Sequence, residues 1–134
     1  MLHNEQLQNI LKRRAKLLAN VRRFFSVRNV LEVKTPILSS AAPTAPYLDN
    51  FSTRFEAGSD SKVLYLHTSP EFAMKRLLAA GSGAIYQIAT VFRNGELGRQ
   101  HAPEFSMLEW YRPGFSLTEL MAEVDALMQQ VIGL

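Results

Sequence analysis

Residues 91–114 read VFRNGELGRQHAPEFSMLEWYRPG, two runs with strand character on either side of a charged loop that carries two glycines. The pattern predicts an antiparallel hairpin whose second strand covers residues 105–111. Side chains alternate in direction along a strand, so Phe105, Met107, Glu109 and Tyr111 share one face, and Ser106, Leu108, Trp110 and Arg112 the other. A carboxylate thus stands between Met107 and Tyr111. An ionised carboxylate on a mostly apolar face is costly unless a cation or hydrogen-bond donor meets it, so Glu109 asks for a positive partner. Arg93 ends the preceding strand and faces the same space.

Around this hairpin the chain supplies enough residues for one compact domain or part of one. It has 134 residues and is 47% hydrophobic. It contains no cysteine, which removes disulfides and thiolate metal sites and agrees with a cytoplasmic location. The first residues, MLHNEQLQNILKRR, lack the apolar core of a secretion signal, and no run approaches the roughly 18 apolar residues of a membrane span. The net charge is +3 and the isoelectric point about 9.4. Lys12, Arg13, Arg14, Lys16, Arg22, Arg23 and Arg28 concentrate much of the positive charge near the start. A nucleic-acid contact and a plain solvated helix face both account for that concentration, the latter favoured because these residues fill the positions left by an apolar stripe.

That stripe is Leu7, Ile10, Leu11, Leu17, Leu18, Val21, Phe24 and Phe25, and its three- and four-residue steps predict one long helix over residues 5–27. Asn29 offers a left-handed stop, and a short strand over residues 31–33 ends at Thr35-Pro36. Packing within the chain and docking on a second subunit both fit so long a stripe. Residues 38–62, rich in Ser, Ala, Pro, Asp and Gly, read mostly as loop with a strand-like piece at 51–55, and residues 63–67 alternate into a strand. Thr68-Ser69-Pro70-Glu71 opens a helix that runs to Gly81, with Thr68 and Glu71 spaced as a capping box. A strand over 85–92 leads into the hairpin. Ser116 to Glu119 is a second capping box, ahead of a final helix striped by Leu117, Leu120, Met121, Val124, Leu127, Met128 and Val131. The class expected is α+β with an antiparallel sheet.

Phosphate-loop, dinucleotide-binding, HExxH and GxSxG signatures are all absent. The loop over residues 94–103 offers Arg93, Arg99 and His101 around two glycines, suited either to a polyphosphate or to a solvated turn.

Three stretches together resemble the class II aminoacyl-tRNA synthetase catalytic domain, in its lysyl branch. Residues 25–40, ending LEVKTPILSS, resemble motif 1, the helix and proline-ended strand that form the family's dimer interface. Phe92-Arg93 followed by His101-Ala102-Pro103-Glu104-Phe105 resembles motif 2. LHTSPEFAMKRLLAAGSGAIYQI and FSMLEWYRPG resemble the short paralogues that lack an anticodon-binding domain and modify elongation factor P. The resemblance implies a partial class II synthetase-type antiparallel sheet flanked by helices. It implies ATP contacts at Arg93, Asn94, Gly95, Glu96, His101, Ala102 and Phe105, with Arg93 the catalytic group on the α-phosphate and Phe105 stacking on adenine. Ser69, Pro70, Glu71, Glu109 and Tyr111 would receive lysine or β-lysine, the last two its side-chain ammonium.

It further implies a homodimer through motif 1, and a reaction that makes an aminoacyl-adenylate and hands it to a lysine of elongation factor P. Transfer to tRNA by a lysyl-tRNA synthetase, and a non-catalytic binding paralogue, are the alternatives. Two positions depart from the family: Gly95 stands at the glutamate of Phe-Arg-x-Glu, and Ala102 where His-Asn-Pro is usual. Motif 3, with its γ-phosphate arginine, has no counterpart before Leu134. Residues 1–134 are therefore expected to be an N-terminal part carrying motifs 1 and 2, inactive by itself, with no metal ligand assigned here and most Mg²⁺ ligands expected beyond residue 134.

Overall fold

A computed structural model of the chain describes residues 4–42, 49–95, 98–99 and 101–132. It divides into two compact units, one formed by the N-terminal residues to Glu32 together with those from Arg112 onward, the other by Val33–Tyr111. Helices and antiparallel pairings make it α+β, as expected.

The first unit holds α1 (Asn4–Ser26), β1 (Leu31–Glu32) and α3 (Leu117–Ile132), with α3 packed on α1. The end of α1 is set by Asn29. At φ 55° it lies in the left-handed region, so Val30 N–H reaches Phe25 O and Asn29 N–H reaches Ser26 O, each at 3.1 Å. These are the two bonds that satisfy the last carbonyls of a helix closed by a left-handed residue. Val21, Phe24, Phe25, Val30 and Leu127 are buried, Phe24 and Phe25 edge to face at 5.2 Å between ring centres. The earlier part of the stripe, Leu7, Ile10, Leu11 and Leu17, is exposed in this chain.

Arg112 closes the unit. Its Nε lies 3.3 Å from Glu123 Oε1 with both side chains largely buried, its Nη1 donates to Arg28 O at 3.4 Å, and its guanidinium lies 4.3 Å from the centre of the Phe115 ring.

Helix α3 starts with the expected capping box. Ser116 N–H donates to Glu119 Oε2 at 2.7 Å and Glu119 N–H donates to Ser116 Oγ at 3.3 Å. Those hydrogen bonds from the Ser116 backbone and hydroxyl hold the Glu119 carboxyl below its ordinary value of 4.5. A depressed carboxylate stabilises the fold above the ordinary value and loses that contribution as pH falls through its lowered one. Replacing Ser116 by alanine is expected to destabilise the full-length protein by about 1 kcal/mol, read in thermal unfolding at neutral pH. The deficit should shrink in acid, where protonated Glu119 accepts more weakly from the Ser116 hydroxyl, which donates to its Oε2 at 2.8 Å.

In the second unit β2 (Leu38–Ser39), β4 (Asp60–Leu66) and β3 (Ser52–Ala57) form an antiparallel sheet in the order β2-β4-β3. The strand-like piece expected at 51–55 is β3, while the loop expected over the rest of 38–62 is corrected at Leu38–Ser39 and from Asp60 onward, which are strand. β3 and β4 are joined by Gly58-Ser59, with Ala57 opposite Asp60. All of β3 and the first part of β4 are exposed, so neither face has to be apolar and no alternation marks them. α2 (Glu71–Ala79) follows, then β5 (Ile85–Phe92) and β6 (Glu104–Tyr111), the hairpin predicted from the opening stretch. Met74, Ile85, Tyr86, Ala89 and Val91 form the apolar core of this unit.

Candidate active site on the hairpin face

The register places Ile85 opposite Tyr111, Gln87 opposite Glu109, Ala89 opposite Met107 and Val91 opposite Phe105. Directly opposed residues point to the same side, so Phe105, Met107, Glu109 and Tyr111 share the face that alternation predicts. Tyr111 donates its hydroxyl to Glu109 Oε1 at 2.5 Å. The phenol is held well above its ordinary value, first by burial, then by the hydrogen bond to Glu109, the charge of Glu109 and the charge of Glu71. It therefore remains a neutral donor. Opposite Glu109, Gln87 is buried and its amide is oriented by Thr35, whose hydroxyl donates to Gln87 Oε1 at 3.0 Å.

At the loop end of the same strands, Arg93 N–H bonds Pro103 O at 3.0 Å, and its guanidinium carbon lies 5.2 Å from the centre of the Phe105 ring. Asn94 N–H donates to Asp49 O at 2.9 Å, and Asn94 Oδ1 accepts from Gly95 N–H at 3.0 Å. Gly95 has φ 77°, and a Cβ there would stand 3.4 Å from Asp49 Oδ2. Further along, His101 N–H returns to Gly98 O at 3.1 Å. A Cβ on Gly98 would come within 2.8 Å of His101 Nδ1, so only glycine fits that turn unless the imidazole moves. His101 and Ala102 are exposed. Glu96, expected at the nucleotide, lies outside the described residues.

The Ser69-Pro70-Glu71 segment comes to the site from β4. Pro70 is fully buried and occupies the N-cap of α2, with no side-chain cap. This corrects the first capping box. With the helix starting at Glu71, Thr68 lies two residues ahead of the cap and Glu71 sits in the first helical position, where its carboxylate cannot reach back as a third-position glutamate does. Glu71 Oε1 instead meets Lys75 Nζ at 2.5 Å, one turn along.

What anchors the segment is His67, a residue that the motif pattern does not single out. Its N–H bonds Ile37 O at 3.0 Å, its carbonyl accepts from Phe92 N–H at 3.1 Å, and its ring Nε2 donates to Thr90 O at 2.7 Å. Ser69 and Arg93 are thereby tied to the same edge of β5. No local pattern signals this anchor, because every partner is distant in sequence.

A cleft of about 560 Å³ opens nearby, lined among others by Tyr65, His67, Ser69, Phe72 and Arg76. Of the expected site residues it contains only Ser69. Arg93, Phe105, Glu109 and Tyr111 lie instead on the β5–β6 hairpin.

Residues 1–133 match the sequence profile of the family described as tRNA synthetases class II (D, K and N). The chain belongs to that family. Curated relatives of this class II synthetase chain include three named elongation factor P--(R)-beta-lysine ligase. That of Haemophilus influenzae (strain PittGG) is 56% identical over 128 residues, covering 94% of this chain and 39% of the relative. That of Actinobacillus succinogenes is 58% identical over 121 residues, covering 89% and 38%. That of Pseudoalteromonas translucida is 57% identical over 124 residues, covering 91% and 38%. The chain thus spans 39% of the length of the first of these relatives.

Among the described residues no group of three or more His, Asp or Glu side chains is placed to hold a metal ion. No described helix is long and apolar enough to cross a membrane.

Proposed function

We propose that this chain forms the hairpin wall of the active site of an ATP-dependent ligase that activates (R)-β-lysine or lysine and transfers it to a lysine of elongation factor P. The observation that carries the reading is the shared strand face, on which Glu109 with its Tyr111 donor stands at one end and Arg93 with Phe105 at the other. Its two ends suit the two ends of the reacting pair. A half-buried carboxylate suits a side-chain ammonium. A guanidinium suits a phosphoryl group, and a neighbouring aromatic ring suits a base. The names of the relatives favour elongation factor P over tRNA as acceptor.

In the first step a carboxylate oxygen of the amino acid attacks the α-phosphorus of ATP, the bond from that phosphorus to the bridging oxygen breaks, and pyrophosphate leaves. Arg93 stabilises the charge that grows on the α-phosphoryl oxygens. In the second step the amine of the acceptor lysine attacks the adenylate carbonyl, loses a proton, and displaces AMP. Ser69, Pro70 and Glu71 border the amino-acid end; Asn94, His101 and Ala102 border the nucleotide, where Gly95 and Ala102 present no polar side chain. Mg²⁺ would be held by parts of the longer protein that the relatives represent. The exposed Leu7, Ile10, Leu11 and Leu17 supply an apolar surface for the expected dimer, and a cytoplasmic location, where ATP is supplied, belongs to the same proposal.

The test is pyrophosphate exchange by the full-length protein, purified with its oligomeric state read by sedimentation. Exchange dependent on (R)-β-lysine or lysine, followed by label transfer to elongation factor P, is expected from a dimer. Absence of amino-acid-dependent exchange rejects the enzyme, and transfer to tRNA alone makes it a lysyl-tRNA synthetase.

A further inference from the structure

The two carboxylates near Tyr111 are in unequal states. Glu109 is met by a phenol, which is neutral, so its charge is uncompensated by any ion pair that the structure describes at that bond. Glu71 has a cation of its own, Lys75 Nζ at 2.5 Å from Oε1. Glutamate four residues before lysine on a helix is the favourable order for such a pair. The pair is nevertheless exposed, with Lys75 57% and Glu71 48% accessible at the side chain, so water and a competing ammonium both reach it. We infer that Lys75 is an internal competitor at Glu71, occupying with its own ammonium the carboxylate that the second amino group of a diamino-acid substrate would use, and so setting how tightly that group is held.

The inference rests on the proposed placement of the substrate. A ligand with two amino groups brings one to Glu109 unopposed and must displace or share Lys75 to seat the other at Glu71. Lys75 weakens the second contact both by occupying the oxygen and by repelling the incoming charge, so the two effects have one sign. Were Lys75 only a support for the surface of α2, its removal would leave substrate affinity alone.

The experiment compares Lys75→Met and Lys75→Arg with the wild type, all as full-length protein. Lys75→Met is expected to lower KM for lysine or β-lysine in pyrophosphate exchange by about two- to fivefold with kcat unchanged, the range of an exposed ion pair. Lys75→Arg should behave as wild type. The inhibition constant of 6-aminohexanoate, which keeps the carboxylate and the side-chain ammonium but lacks the second amino group, should not move. An unchanged or raised KM in Lys75→Met, or an equal shift for 6-aminohexanoate, overturns the inference while the enzyme reading stands. Absence of any lysine-dependent exchange in the wild type takes both down together.

Discussion

Replacing Arg93 by alanine is expected to slow amino-acid-dependent pyrophosphate exchange by the full-length protein about 10²–10³-fold, the usual cost of removing one preorganised donor from developing charge. The side chain is set before any nucleotide arrives. Its backbone is fixed by the bond to Pro103 O, and its guanidinium is positioned over the Phe105 ring. Little reorganisation is then needed as charge builds on the phosphoryl oxygens, which is why the loss should appear mainly in kcat and less in KM for ATP. Arg93→Lys should recover only part of the rate, since an ammonium keeps the charge but not the planar pair of donors. Unfolding temperature serves as the control. A variant that folds normally and retains more than a tenth of the exchange rate would remove Arg93 from the catalytic role.

Arg93 is legible in the sequence because its setting is local. β5 and β6 are runs rich in β-branched, aromatic and other apolar residues bounded by turn residues, and the register they adopt is the one that puts Glu109 and Tyr111 on a common face. The ends of α1 and α3 are legible for the same reason. Asn29 reaches back only to the preceding turn, and Ser116 and Glu119 are three residues apart. Features with distant or solvated partners are not legible in this way. The start of β4 is exposed, so no apolar period distinguishes it from loop, and of the exposed β3 only the piece at 51–55 shows strand character in the sequence. The spacing of Thr68 and Glu71 mimics a cap, but buried Pro70 takes the cap position and Glu71 turns to Lys75 instead. His67 bonds Thr90 across 23 positions, and Arg112 leaves its turn to join Glu123 on α3 and Arg28 at the end of α1. Such contacts are products of the tertiary fold and leave no short-range trace.

Glu109 is the other place where a single change should have a large effect. Glu109→Gln keeps shape and an acceptor oxygen for the Tyr111 hydroxyl, so the hairpin face should survive it, but the charge is gone. A hydrogen bond to a charged partner contributes about 1.5–3 kcal/mol, which corresponds to a rise in KM for lysine or β-lysine of about 10–10²-fold, and nearer the upper end if the site closes over the ammonium. Tyr111→Phe should do less. It removes a neutral donor that orients the carboxylate and leaves the carboxylate itself in place. The ordering therefore separates charge recognition from packing. If Glu109 binds the side-chain ammonium, the penalty in Glu109→Gln must vanish for norleucine, which has the same backbone groups and no such ammonium, measured as its inhibition constant. If Glu109 only braces β6, both ligands weaken together, unfolding temperature falls with them, and Tyr111→Phe costs as much as Glu109→Gln. The uneven pairing of the two carboxylates, Glu109 with a phenol and Glu71 with Lys75, favours the first outcome. A carboxylate that served only to hold the sheet would be better matched by a fixed cation of the protein than by a hydroxyl that leaves its charge available.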